Sequence, residues 1–368
     1  MEWIETTLGD IGKVVGGATP PTKHEEYYGG KIAWITPKDL SSFKGRYISF
    51  GERSITEKGL ASCSAQMVPS NTILFTSRAP IGYIAIAKQS LCTNQGFKSI
   101  IPYECIDPLF LYYLLKYNKD RIESMGSGTT FKEISGKTMK SIRVYIPRKI
   151  EDQKRISAIL DRLDGKIECN AEINDNLQQQ AQTIYSSMFI TNADPLWKIG
   201  HLSDLVSIKY GKDHKKLTDG RFPVYGSGGI MRHVERPLYN KESVLIPRKG
   251  TLNNVIYVSQ PFWSVDTMFY TEMRLPNVAK YVYHFVKSKD LTSMNAGSAV
   301  PSMTTAILNA MEVVIPTDSA LKAFEEIVSP MYNEIQKNDE QSRTLCSIRD
   351  ALLPRLMSGE IDISNIQF

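Results

Sequence analysis

Three stretches of the 368-residue chain carry residue types at spacings that could do chemistry on a nucleic acid or a nucleotide. Asp152-Gln153-Lys154 has the acidic-x-Lys spacing of many nucleases, but no Pro-Asp dipeptide occurs anywhere to complete the site. It also falls at a predicted helix start, where Glu151 and Asp152 are explained by the attraction of carboxylates to the helix dipole. Gly136-Lys137-Thr138 has the form of the end of a phosphate-binding loop, yet Phe131 stands where the first glycine belongs. Gly226-Ser227-Gly228-Gly229 lacks the third glycine of a dinucleotide fingerprint, Met231 being in its place, and suits a tight loop. Amino-methylation motifs of the Asn-Pro-Pro-aromatic and Asp-Pro-Pro-aromatic kind are absent, since the only Pro-Pro pair, Pro20-Pro21, follows Thr19. The cysteines at 63, 92, 105, 169 and 346 have no CxxC spacing, and the five histidines make no HExxH pair. No metal site and no catalytic residue are expected.

Contact chemistry is better represented. Ser77-Arg78 and Arg248-Lys249-Gly250 end β-like runs at corresponding places in the two halves of the chain. Arg or Lys at such a place can read guanine or hold phosphate; the plain alternative is an exposed surface cation. Lys38 is a further candidate of the same kind. Lys212, His214, Lys215 and Lys216 cluster beside Gly211 in a loop that suits phosphate contact, or simply solvation. The stretch TNQGFKS at 93 to 99 offers Asn94, Gln95 and Lys98; amides suit adenine edges, and equally they cap turns.

Elements must position these side chains, and composition bounds them. The length suits two domains, and 42% hydrophobic with 23% charged residues is the balance of an ordinary globular protein. No apolar run reaches 18 residues and MEWIETTLGDIGK lacks a leader pattern, so a cytoplasmic location without membrane association is expected. The net charge of +5 is unevenly distributed: +6 over 1–148, −3 over 149–195, +6 over 196–316 and −4 over 317–368. A polyanion should prefer the first and third blocks.

The blocks belong to an internal repeat. MGSGTTFKEISGKTMKSIRVYIP at 125 to 147 returns as MNAGSAVPSMTTAILNAMEVVIP at 294 to 316, WIETTLGDIG at 3 as WKIGHLSDLV at 197, and the stretch 68 to 89 as 240 to 260. Asp107-Pro108 opens the apolar helical pattern LFLYYLLKY, and Pro276-Asn277 opens VAKYVYHFV. Short β-rich runs between Gly, Pro, Ser and Asn predict a mixed α/β block with a curved, largely irregular sheet and one or two helices. The copies diverge at Thr130, Phe131 and Lys132, which face Ala299, Val300 and Pro301, so any DNA contact by Thr130 or Lys132 is not transferable.

After each closing Ile-Pro pair the period becomes helical. Ile156, Leu160, Leu163, Ile167, Asn170, Asn174, Leu177, Ala181, Ile184 and Met188 keep an unbroken 4-3 spacing, the seam of a coiled coil. Phe324, Val328, Met331, Ile335, Asn338, Ser342, Leu345, Arg349, Leu352 and Leu356 repeat it, shifted by 168. Helices of near forty residues, about 60 Å long, must connect things rather than fold inside a small domain. The seams alone leave direction open, but a chain that folds back on itself favours antiparallel helices. With flush ends, facing positions sum to 512, so Asn170 meets Ser342 and Asn174 meets Asn338, a buried polar layer that would fix register. The alternative is that these asparagines face solvent.

In the order and combination of GSGTTFKEISGKTMKSIRVYIP running into EDQKRISAILDRLDGKIE, YGSGGIMRHVERPLYNKESVLIPRKGTLNNVIYV and LLPRLMSGEIDI, essentially the whole chain resembles the DNA-specificity subunits of type I restriction-modification systems. The resemblance implies an α/β fold with two target recognition domains, 1–148 and 191–316, two long antiparallel spacer helices, 149–190 and 317–358, and a tail at 359–368. It further implies a noncatalytic chain that reads a bipartite site in double-stranded DNA, one half per domain, and docks two methyltransferase subunits. Restriction subunits would join the complex, and S-adenosylmethionine, ATP and magnesium would be bound by those partners, with no cofactor on this chain. A coiled-coil adaptor whose globular ends bind proteins is the competing reading; the two +6 blocks argue against it.

Overall fold

The computed structural model describes residues 1–128, 132–295 and 301–363. Thr130, Phe131, Ala299 and Val300 lie outside the described residues. The chain divides into two compact units, one of 1–171 with 339–368 and one of 172–338. Each unit holds one α/β block and half of each long helix, which run Ile150–Ser186 and Asp318–Met357. The first continues into a π-helical turn, Ser187–Thr191.

The two blocks share one strand plan. In the first, strands Gly12–Gly16, Lys98–Pro102, Ile73–Ser77, Ile81–Ala87 and Tyr47–Ile48 lie side by side in that order, antiparallel except for the last pair. In the second, Val206–Tyr210, Met268–Met273, Ser243–Pro247 and Ile256–Val258 repeat the first four positions. A three-stranded sheet accompanies each: Arg53–Ile55, Tyr28–Ile35 and Cys92–Thr93, then Gly229–Val234, Asp219–Gly226 and Trp263–Ser264. The sheets are more regular than the punctuated sequence suggests. Irregularity is confined to register shifts, such as that between Phe75 and Ser77.

Each block is opened and closed by one antiparallel ribbon. Trp3–Thr7 pairs with Arg143–Pro147, and Lys198–His201 with Glu312–Ile315. The entering strand turns at once into a four-residue helix, capped by a carboxylate three residues on: Asp10 accepts from the Thr7 N–H at 3.2 Å, and Asp204 from the His201 N–H at 2.8 Å. Several helices have only four to six residues, including Pro37–Ser41, Glu57–Ala61, Lys119–Ser124 and Gly136–Ser141. That is more helices than the expected one or two, because an element of little more than one turn leaves no readable period.

The helix Pro108–Tyr117 is apolar all round, and Phe110 through Leu115 are all buried. Asp107 caps it by accepting from the Phe110 N–H at 2.8 Å. Its counterpart Ala279–Lys287 is buried along eight residues, Lys280 and His284 among them. Both sit in cores that also take the long helices: Ile156, Leu160 and Leu356 in the first unit, Ala181, Phe324 and Val328 in the second.

None of the seam positions on either long helix is exposed. The helices run antiparallel. Within the first unit Asn170 Nδ2 donates to Ser342 Oγ at 3.1 Å and to Gln341 Oε1 at 2.9 Å. Within the second, Asn338 Nδ2 donates to Asn174 Oδ1 at 2.9 Å.

The catalytic spacings of the sequence resolve into local structure. Gln153, between Asp152 and Lys154, is fully buried and stitches the helix start to the domain. Its amide donates to the carbonyls of Cys105 at 3.1 Å and Pro147 at 2.9 Å, and accepts from the Asp107 N–H at 2.8 Å. Gly136-Lys137-Thr138 is the first turn of a short helix whose cap, Ser135, accepts from the Thr138 N–H at 3.0 Å. Gly226 and Gly229 close a hairpin, Gly229 having φ of +111°.

Candidate nucleic-acid interface

In an antiparallel sheet, alternate strands end at the same edge, so chain segments far apart in sequence meet there. In the first unit that edge collects the end of Gly12–Gly16, the start of Lys98–Pro102 and the end of Ile73–Ser77. Arg78, Asn94, Gln95 and Lys98 therefore gather at one corner. Backbone bonds hold it: the Ser77 N–H donates to the Gly96 carbonyl at 2.7 Å, and the Ile134 N–H to the Ser77 carbonyl at 3.0 Å.

The second unit builds the same corner. There the Arg248 N–H donates to the Thr267 carbonyl at 2.8 Å, and the Met303 N–H to the Arg248 carbonyl at 2.9 Å. These two bonds set Arg248 in the place of Ser77, Lys249 in that of Arg78 and Ser302 in that of Glu133. The Arg248 guanidinium lies 5.3 Å from the centre of the Tyr210 ring, and its Nη1 donates to the Asp266 carbonyl at 3.3 Å.

A second loop enters each corner immediately after the first sheet strand. The Ala18 N–H donates to the Thr93 carbonyl at 3.0 Å, and the Lys212 N–H to the Ser264 carbonyl at 2.8 Å. A tryptophan secures each loop: Trp34 Nε1 donates to the Ala18 carbonyl at 3.0 Å and Trp263 Nε1 to the Lys212 carbonyl at 2.8 Å. Glycine is required just before, because a Cβ on Gly17 would lie 2.1 Å from the Thr93 oxygen and one on Gly211 2.0 Å from the Val265 oxygen.

The candidates differ in how they are held. Lys38 is exposed on the helix Pro37–Ser41, in an ion pair with Glu52 at 2.6 Å. Arg78 Nη1 and Lys98 Nζ both approach Glu133, at 3.7 Å and 3.2 Å. The Asn94 side chain accepts from the Gly96 N–H at 2.8 Å, the turn-capping role, and Gln95 Oε1 accepts from the Thr19 hydroxyl. In the other unit Lys212, Lys215 and Lys216 are exposed. The Lys215 N–H donates to Asp213 at 3.0 Å and holds its carboxyl below the usual carboxylate range. His214 is half-buried, its Nδ1 without a hydrogen-bond partner among the described residues. The corner thus joins cations and amides, side chains that hold phosphates and read base edges.

Three polar groups that fasten a block to its helices escaped sequence reasoning. Arg46, in the loop before Tyr47–Ile48, is 8% exposed and pairs with Glu168 at 2.7 Å and with Asp161. Tyr113 donates to Asp164 at 2.8 Å, and Arg349 pairs with the other oxygen of Asp164 at 2.7 Å. In the second unit His284 Nδ1 donates to Gln182 Oε1 and the Tyr332 hydroxyl donates to His284 Nε2, both at 2.8 Å. Burial and then Lys287 push His284 down to about 3, which keeps it neutral. Among the described residues, no group of three His, Cys, Asp or Glu could hold a metal ion, and no helix is long and apolar enough to cross a membrane.

A twice-repeated α/β block with cations at one sheet corner, each block leading into one of two paired helices, defines an internally duplicated α/β protein. Residues 1–179 and 196–342 match the family described as the type I restriction modification DNA specificity domain, and the chain belongs to that family. It is similar, at 31% identity across 99% of this chain and 95% of the relative, to the type I restriction enzyme MjaIX specificity subunit of Methanocaldococcus jannaschii. Over 45% of this chain and 41% of the relative it is 33% identical to the EcoR124I/EcoR124II specificity subunit of Escherichia coli. The fold is that of the type I restriction-modification S subunit from M. genitalium, with a TM-score of 0.62 at 19% identity, covering 99% of this chain and 97% of that one.

Proposed function

We propose that this chain is the noncatalytic sequence-reading subunit of a type I restriction-modification enzyme. The block of residues 1–148 reads one half of a bipartite site in double-stranded DNA, and that of 191–316 reads the other. Affinity comes largely from Lys and Arg on phosphates, and specificity from a few side chains at base edges. The paired helices set the distance between the halves and dock two methyltransferase subunits, through which restriction subunits join. S-adenosylmethionine, ATP and magnesium belong to those partners.

The observation that carries this reading is the basic corner built twice by the same backbone bonds, with different side chains in each copy. A shared frame with divergent tips suits two readers of different sequences. The test is to exchange residues 1–148 for the corresponding domain of another specificity subunit and to map methylated adenines by single-molecule sequencing. One half of the methylated sequence changes and the other is retained. A change in both halves, or methylation independent of sequence, sinks the reading.

A further inference from the structure

In the first unit two cations of the corner, Arg78 and Lys98, share one carboxylate. Glu133 Oε2 lies 3.7 Å from Arg78 Nη1, and its Oε1 lies 3.2 Å from Lys98 Nζ. The three residues stand on separate segments whose backbones are bonded to one another, through Ile134 to Ser77 and Ser77 to Gly96, so the cluster is built into the corner. All three side chains remain partly accessible, at 36% for Arg78, 18% for Lys98 and 38% for Glu133. Pairs this open are weak enough for the combined acceptors of a half-site, phosphate and guanine edge together, to displace the carboxylate.

The second unit serves as an internal control. At its corner Ser302 occupies the place of Glu133, bridged to Lys249 in the place of Arg78, while Phe269 stands in the place of Lys98. The fold therefore forms this corner without the carboxylate. What Glu133 adds is specific to the first unit, and it is a negative charge where DNA would bring its own.

Resting on the function proposed above, we infer that Glu133 is a specificity-determining residue of the first domain. It competes with DNA for Arg78 and Lys98, so that these cations are released only where the correct half-site supplies enough acceptors to replace it. Non-cognate DNA, offering phosphates alone, pays the repulsion of the carboxylate without that return.

The experiment uses the full chain in complex with its methyltransferase subunits and three duplexes: the methylated sequence, the same with the half read by residues 1–148 altered, and the same with the other half altered. Glu133→Gln is expected to raise affinity for the duplex altered in the first half by about three- to tenfold relative to the cognate duplex. Its salt dependence steepens by up to about one phosphate contact. Discrimination in the second half stays at the wild-type value, and the thermal midpoint of the complex stays within a few degrees. Ser302→Glu runs the change in the opposite sense, weakening binding to the duplex altered in the second half. Unchanged discrimination with Glu133→Gln, equal relaxation in both halves, or a uniform loss of affinity with a fallen thermal midpoint overturns the inference and leaves Glu133 a structural pair. A wild-type complex that does not distinguish the three duplexes removes the functional reading itself; one that does, beside a silent Glu133→Gln, removes this inference alone.

Discussion

Asn338 hydrogen-bonds Asn174 across the two long helices at 2.9 Å, amide nitrogen to amide oxygen, with both side chains buried. A buried amide bonded to its matching amide across the seam disfavours every other register, since a shift would leave polar groups facing apolar seam residues. Asn338→Leu alone should destabilise the second unit by about 1–3 kcal/mol. Asn174→Leu with Asn338→Leu should cost less than the sum of the single changes, because an apolar pair replaces a polar one. A double-mutant cycle by urea unfolding reads the coupling; additive effects would show that the pair does not act as a unit.

Arg46 fastens the first block to its helix by an unusual route for an exposed-looking sequence, SSFKGRYISF. Burial opposes its charge, and the hydrogen bonds it donates to Glu168, then Asp161, more than restore it, so its pKa is raised. Arg46→Met leaves two carboxylates of one helix face without their shared cation. The expected loss is about 2–3 kcal/mol, below the full cost for a buried pair because Asp161 and Glu168 remain partly exposed. Arg46→Lys recovers only part of it, since an ammonium cannot bridge both carboxylates in the guanidinium's planar fork. Chemical denaturation of the three proteins orders them; equal stability of Arg46→Met and wild type would contradict the clamp.

His284 makes the second unit acid-sensitive. Burial, with Lys287 second, holds it at about 3, whereas the unfolded chain titrates near the ordinary histidine value. Between those values the unfolded state binds a proton that the folded state refuses, so stability rises with pH and is lost as pH falls through that window. The slope from this one group approaches about 1.4 kcal/mol per pH unit below about pH 6. His284→Gln removes it. Unfolding midpoints of both proteins between pH 4.5 and 7.5 should converge toward the acid end; parallel curves would mean that His284 protonates freely in the fold.

Much of this architecture is legible in the sequence because its signals are periodic or repeated. The 4-3 spacing from Ile156 to Met188 and from Phe324 to Leu356 marks two long helices, found at Ile150–Ser186 and Asp318–Met357. The closing stretch before each is a short helix and a strand in both units. The polar fastenings are not legible. Glu133 meets Arg78 and Lys98 from 55 and 35 residues away, and Arg46 meets Glu168 from 122 residues away, with no spacing to announce them. Asn94 shows a further limit: an amide at a sheet edge has one sequence signature whether it reads a base or caps a turn, and only the Gly96 N–H at 2.8 Å identifies the second role.

The antiparallel seam gives a test of the spacer that depends on register. Position 177 and position 335 are seam residues on opposite helices, as are 181 and 331, and all four lie in the second unit. One heptad inserted between Leu177 and Ala181, together with one between Met331 and Ile335, adds two seam layers while keeping the amide pair of Asn174 and Asn338. Seven helical residues extend each helix by about 10 Å, close to the rise of three base pairs at about 3.4 Å each. The methylated sequence should keep both halves and gain about three unread base pairs between them. The same heptad in the first helix alone cannot satisfy both ends. Keeping Asn174 opposite Asn338 displaces Ala181 and Ile184 from the partners they pack against, Phe324 and Val328 among the shared core. That single insertion should abolish methylation and lower the unfolding midpoint. If it instead methylates the original sequence, register does not set the spacing; if the paired insertion leaves the gap unchanged, the helices do not measure it.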